Sequence, residues 1–126
     1  MTKASTLSMD QLTAVLDNAP VAVCVSAVKT HELLYANARA RESILPDSGA
    51  ASTACYEIAG FDRPCPFCHT GEMNRSQLLT REYRHPVTGR IYQLSGKLLD
   101  WDGVPAHVEY ILDITEKKRE EDRSKA

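Results

Sequence analysis

Two apolar–polar alternations joined by an Asp-Gly pair constrain this chain more than any other feature. Tyr92, Leu94, Gly96 and Leu98 share one parity, Ala106, Val108, Tyr110, Leu112 and Ile114 share another run, and Asp102-Gly103 stands between them. A period of two places one parity on one face of a β-strand, and Asp-Gly readily takes the left-handed backbone of a tight hairpin turn. Arg81 to His85 reads as a further strand, joined to the first alternation by a loop with Gly89 near its end. Three antiparallel strands should therefore close the domain. The alternation predicts that Tyr92, Leu94, Leu98, Val108, Tyr110 and Leu112 are buried on a single face covered by helices.

Upstream, Val21-Ala22-Val23-Cys24-Val25 is apolar on both parities, the pattern of a central strand, predicted over 20–27. A polar turn at 29–32, a strand at 33–36 and a short helix capped by Asn37 follow. Before them, Ser8 and Gln11 form a capping box and Leu7 and Leu12 a hydrophobic staple, so a helix is predicted over 9–17. Its Met9, Leu12 and Leu16 face should dock on the sheet of the same chain or on a partner. Residues 46–66 lose periodicity, 72–80 read as one more helix with Thr70 as its cap, and 115–125 hold helix formers with no apolar residue. That last stretch, capped by Thr115, reads as a solvated connector.

With 126 residues, 43% hydrophobic and 25% charged, the chain is expected to be one globular domain with tails. A formal net charge of -2 with mixed signs offers no footprint for nucleic acid or an anionic membrane. The apolar run at 19–25 is far shorter than the roughly 18 residues of a spanning helix, and the polar N-terminus resembles no signal peptide. A cytoplasmic location is the expectation, in which four cysteines more often pack, bind metal or do redox chemistry than form a disulfide framework.

The order strand, strand, short helices, three antiparallel strands and outgoing helix resembles PAS sensor domains. The similarity is carried by 16–20 entering the first strand, by Leu34-Tyr35-Ala36-Asn37-Ala38, by Gly89-Arg90-Ile91-Tyr92, and by Asp113-Ile114-Thr115-Glu116 at the exit, and it spans about 8–118. It implies an α+β fold with an antiparallel sheet of about five strands and short helices over one face. It divides the chain into an N-terminal helical segment at 1–18, a core at 19–114 and the start of an output connector at 115–126. It further implies a sensory module, in bacterial signal transduction, that regulates a linked histidine kinase or diguanylate cyclase type of effector. A homodimer, a small-molecule ligand, and Asp113 and Thr115 as signal-output residues belong to the same implication.

The chain departs from ordinary PAS domains at Cys55, Cys65-Pro66-Phe67-Cys68 and His69, in a pattern that resembles a cysteine-bearing variant of the family. Two cysteines separated by two residues can converge on one metal, Cys55 can fold back to the same point, and His69 can complete a Cys3His set for zinc or support an iron-sulfur cluster. The same residues can instead form a redox-active dithiol, or simply pack, and all three readings stay open. Cys24, in the Val-rich strand, reads as core. The flavin-reactive cysteine motif is absent, and the predicted helix at 72–80 lacks an axial histidine, so covalent flavin and haem are disfavoured. His31, His85 and His107 read as surface residues.

Neither a Ser-His-Asp arrangement nor a phosphate-cradling glycine loop is visible, so no enzymatic activity is expected. The rival readings are a thiol-disulfide oxidoreductase using Cys65 and Cys68, and a purely structural dimerisation module.

Overall fold

The computed structural model describes residues 6–44, 54–58 and 72–125. Helix α1 (Met9–Asp17) starts at Ser8, whose hydroxyl accepts from the Gln11 amide while the Gln11 side chain accepts from the Ser8 amide. Strands β1 (Ala22–Ala27) and β2 (Leu33–Ala36) form a hairpin, and the short helices α2 (Ala38–Ser43) and α3 (Cys55–Ile58) follow. Strands β3 (Leu79–Arg84), β4 (Ile91–Trp101) and β5 (Val104–Asp113) lead into the exit helix α4 (Thr115–Lys125). The five strands make one antiparallel sheet in the order β2-β1-β5-β4-β3, so the two strands richest in β-branched and alanine residues lie in its middle. Every residue of β1 is buried, as its two-sided apolar pattern requires.

The β4–β5 turn is Asp102-Gly103, with φ of 50° and 84°, and it pairs Trp101 with Val104. Both residues occupy the left-handed region that a two-residue hairpin demands. A two-residue turn pairs positions of opposite parity. Leu94 therefore sits across from Ile111, Gly96 from Glu109 and Leu98 from His107, on one face. Val108, Tyr110 and Leu112 lie on the other. The expectation that all six alternating residues share a face is thus corrected: Tyr110 and Leu112 are 38% and 40% exposed on the opposite side.

One face packs Ala22, Cys24, Leu33, Ala36 and Ile111 under Ala40 and Ile44 at α2 and Ile58 of α3; this is the covered face. The other carries Val23, Val25, Ala106 and Val108 with Tyr35, Leu99 and Trp101 packed against them. Asn37 joins the elements. Fully buried, it accepts from the amides of Val23 (2.9 Å) and Ala40 (3.1 Å) and donates to the carbonyls of Leu16 (2.7 Å) and Val21 (3.1 Å). Asp17 adds to this anchor by accepting from the Ala38 amide.

Two further expectations change. Residues 72–78 are not a helix: the Asn74 side chain accepts from the amides of Ser76 and Gln77, its carbonyl accepts from Leu98, and β3 then begins at Leu79. An asparagine that captures amides two and three residues ahead competes with the helical bonds those amides would make. Helix α1 forms as expected, but no residue of it is buried, with Met9 76% and Leu12 41% exposed. Its hold on the fold is polar, through Asn37 and Asp17 at its C-terminal end. Among the described residues, no helix is long and apolar enough to cross a membrane.

Candidate functional site

The corrected register brings polar side chains onto the covered face. His107 pairs with Ser26 and Leu98, and Glu109 with Cys24 and Gly96, all of them on the two central strands and their neighbour. Arg81 of β3 reaches Glu109, with Nη2 3.4 Å from Oε1 and both side chains mostly buried. Gly96 makes room at this point. A Cβ there would stand 2.6 Å from Met73 Cε and 3.0 Å from Glu109 Oε2, so only glycine lets the Met73 side chain and the carboxylate lie flat on the strand.

His107 is 6% exposed, contrary to its reading as a surface residue, because β5 is central and its face is covered here. Burial, with His31 and Arg81 nearby, pushes its imidazole down to about 4, so the ring is neutral at physiological pH. His107 Nδ1 and Arg81 Nη1 are buried without a hydrogen-bond partner among the described residues. Cys24 behaves as the core residue that the sequence suggested: burial first, then Glu109 and Cys55, push its thiol up to about 12. A thiol so raised is inert at physiological pH.

At the edge of this face stands Cys55, the first residue of α3. Its amide donates to the His31 carbonyl (2.8 Å), and its Sγ lies 3.6 Å from His31 Nδ1. His31 has φ of 65° in the β1–β2 turn, closed by bonds from its own amide to Ala27 and from Ala27 to Glu32. Glu32 bridges to Ala54, and the Tyr56 ring meets the His31 ring edge-on at 5.8 Å. His31 is therefore a structured neighbour of Cys55 rather than a free surface histidine. Of the ligands nominated by spacing, Cys65, Cys68 and His69 lie outside the described residues. Among the described residues no group of three or more His, Cys, Asp or Glu side chains converges as a metal site.

His85 also departs from a surface reading. Its Nδ1 accepts from the amides of Val87 and Thr88, and its Nε2 faces the Ile58 carbonyl at 3.2 Å. Two amides at Nδ1 leave the proton on Nε2, which then donates to Ile58 and ties the β3–β4 loop to α3.

Asp113 and Thr115, the residues at the exit from β5, are in direct contact. Asp113 Oδ2 accepts from Arg90 Nε, and Oδ1 accepts from the Thr115 amide (2.9 Å) and hydroxyl (2.6 Å). Thr115 Oγ1 in turn accepts from the Ile91 amide at 2.9 Å, at the start of β4. Partial burial acts to raise the Asp113 carboxyl, but Arg90 and the Thr115 donors outweigh it and hold the group below its ordinary range. Farther along α4, Lys118 Nζ meets Glu82 Oε2 of β3 at 2.9 Å. Arg90 and Ile91 lie in the Gly-Arg-Ile-Tyr run that carries the resemblance, but neither they nor Glu82 were given a role from the sequence.

No family profile and no curated protein match this chain. Solved structures do. A PAS domain of an HTR-like protein from Haloarcula marismortui matches with a TM-score of 0.54 and 13% identity over 83% of this chain and 90% of that one. A PAS domain from a two-component sensor histidine kinase matches at 0.53 and 17%, over 86% and 98%. An RNA-binding light-oxygen-voltage receptor matches at 0.58 and 18%, over 93% of this chain but 37% of that one. The likeness lies in the backbone, and with the five-stranded antiparallel sheet and its short helices it gives this chain the PAS fold.

Proposed function

We propose that the chain is a signal-input module, without catalysis of its own, in which a stimulus met at the covered face changes how the exit helix is held. The observation that carries this reading is the exit clasp. Helix α4 has no buried residue except Thr115, so its attachment depends on Thr115, Asp113, Arg90 and Ile91, with Lys118 and Glu82 beside them. A helix attached at one end by a few hydrogen bonds responds to small shifts of β4 and β3, and Arg81, next to Glu82, faces the covered side. The effector in this reading is a linked histidine kinase or diguanylate cyclase, a class supported by the likeness to a sensor histidine kinase domain.

The stimulus enters through the cysteine-bearing segment that starts at Cys55, as metal binding or thiol chemistry with Cys65 and Cys68. A second copy of the chain is the proposed partner, because Met9, Leu12 and Val15, with Leu7 just before the helix, leave apolar surface at α1 in water. Hydrogen exchange over 115–125 tests the reading, with and without a thiol oxidant, reductant and zinc. Changed protection of α4 supports it, and unchanged protection in every condition refutes it. Turnover of a disulfide substrate would instead favour an oxidoreductase.

A further inference from the structure

We propose that His85 is a latch that couples helix α3 to the exit clasp, so that a displacement of α3 is passed to α4 through the β3–β4 loop. The inference rests on the reading of α4 as the output and of the segment beginning at Cys55 as the input, and it supplies a route between them.

The residue type at position 85 does two things at once. Pro86 has no amide, and the next two amides, of Val87 and Thr88, both donate to His85 Nδ1, at 3.2 and 3.3 Å. An asparagine would serve as well for that turn: Asn74 Oδ1 captures the amides two and three residues ahead of it in the same way. The imidazole adds a second nitrogen on the far side of the ring, and its Nε2 stands 3.2 Å from the carbonyl of Ile58, the last residue of α3. With Nδ1 occupied as an acceptor, the ring proton is on Nε2, and the bond runs from His85 to Ile58. It satisfies one of the carbonyls that a helix leaves open at its C-terminal end. Helix α3 is a single turn, so a shift at Cys55 carries the Ile58 carbonyl with it.

The loop can transmit because it is closed on itself. The His85 amide donates to the Arg90 carbonyl (2.8 Å), the Gly89 amide to the His85 carbonyl (2.9 Å), and Arg84 Nη1 to the Gly89 carbonyl (3.1 Å). Arg90, which closes the loop, is also the residue whose Nε donates to Asp113, and Asp113 accepts from Thr115 at the start of α4. Ile91, next along the chain, donates to Thr115 Oγ1 and accepts from the Ile114 amide, both at 2.9 Å. From the Ile58 carbonyl to α4, every step is a hydrogen bond or a residue that takes part in two of them. What loosens one end of such a loop shifts the opening of the other, and the effect on free energy is the same in both directions.

That reciprocity allows the coupling to be measured without a stimulus, by amide-resolved hydrogen exchange on the whole chain. The parent, His85→Asn, Arg90→Gln and the double variant are compared. Asparagine keeps an acceptor for Val87 and Thr88 but cannot reach Ile58, and continued protection of those two amides verifies the turn. Cys24 and Val25, in the central strand β1, report global opening and serve as the reference. Arg90→Gln should speed exchange at Thr115 and Lys118 and, through the latch, at Cys55 and Glu57, by about 3- to 10-fold relative to that reference, the size of one lost hydrogen bond. In the His85→Asn background the same substitution should leave Cys55 and Glu57 unchanged. No change at Cys55 and Glu57 in Arg90→Gln, or an equal change with and without His85, overturns the latch. Ring-nitrogen spectra of the parent give a check that needs no variant: the proton should be on Nε2, and a proton on Nδ1 overturns the latch as well. The response of α4 to oxidant, reductant and zinc is a separate readout. If α4 does not respond, the input reading fails while the four chains still decide the coupling; if it responds equally in the parent and in His85→Asn, the reading stands and the latch is overturned.

Discussion

Removing the Asn37 side chain should cost more stability than any other substitution of a residue its size among the described residues. Its carboxamide uses its whole capacity: two acceptor bonds from Val23 and Ala40, two donor bonds to Leu16 and Val21. Asn37→Ala leaves two amides and two carbonyls without those partners. At about 1 kcal/mol net per hydrogen bond the loss is roughly 4 kcal/mol, a large part of the 5–15 kcal/mol that a domain commonly has. Asn37→Asp separates shape from polarity. The carboxylate keeps both acceptor bonds but turns an oxygen toward two carbonyls that now sit 2.7 and 3.1 Å from a donor. The variant should therefore be as unstable as Asn37→Ala at neutral pH and recover part of the loss under acid, where a protonated carboxyl can donate again. Urea titration followed by circular dichroism measures both, from pH 4.5 to 8. Either variant within about 1 kcal/mol of the parent at neutral pH, or an Asp variant with no pH-dependent difference from the parent, would refute the account of Asn37 as the residue that binds α1, β1 and α2 together.

Three further outcomes follow. His107 has a folded value of about 4 against an ordinary 6.5, so the unfolded chain binds more protons between those limits; stability should fall as pH drops from about 6.5 and level off near 4, by up to about 3 kcal/mol, and His107→Leu should flatten that part of the curve. Arg81 and His31 face the ring from neighbouring segments and Glu109 shares its strand, so Glu109→Gln is the control that separates the two titrations. Gly96→Ala should cost about 1–3 kcal/mol through the clash with Met73, and Met73→Ala in the same chain should relieve part of that cost in a double-mutant cycle. Thr115→Val should cost about 1–2 kcal/mol and raise hydrogen exchange in α4 more than in β5, since it removes the acceptor for Ile91 and the donor to Asp113.

Much of this was readable from residue types, and the errors have identifiable causes. The capping box at Ser8, the double-faced Val run of β1, the Asn37 cap and the Asp113–Thr115 exit are local signals, and each appears where the residues placed it. The helix expected over 72–80 failed because the Asn74 side chain takes the amides of Ser76 and Gln77, a competition that propensity sums do not contain. The pairing of His31 with Cys55 joins positions 24 residues apart, and no local pattern announces it. Cys65, Cys68 and His69 fall outside the described residues, so their part rests on spacing.

The error of parity in β5 is the most instructive, because the residues needed to avoid it were adjacent to one another. An Asp-Gly turn of two residues pairs Trp101 with Val104, which forces even positions of β4 onto the face of odd positions of β5. Applying that rule moves Val108, Tyr110 and Leu112 away from Leu94 and Leu98 and puts His107, Glu109 and Ile111 in their place. The covered face then carries a histidine and a carboxylate in its most central strand, with Arg81 of β3 reaching across to the carboxylate. Apolar residues at those positions would pack without desolvating a charge, so a sequence shaped only for stability has no reason to put polar groups there. Conflicts of this kind between local pattern and burial tend to mark function. Here the conflict lies beside Cys24 and Gly96, within electrostatic reach of His31, and two strands away from the Glu82–Lys118 contact with the exit helix, with β4 between. The turn that sets the register therefore also decides which side chains line the covered face, and a single strand, β4, separates β5 from the strand that meets α4 through Glu82.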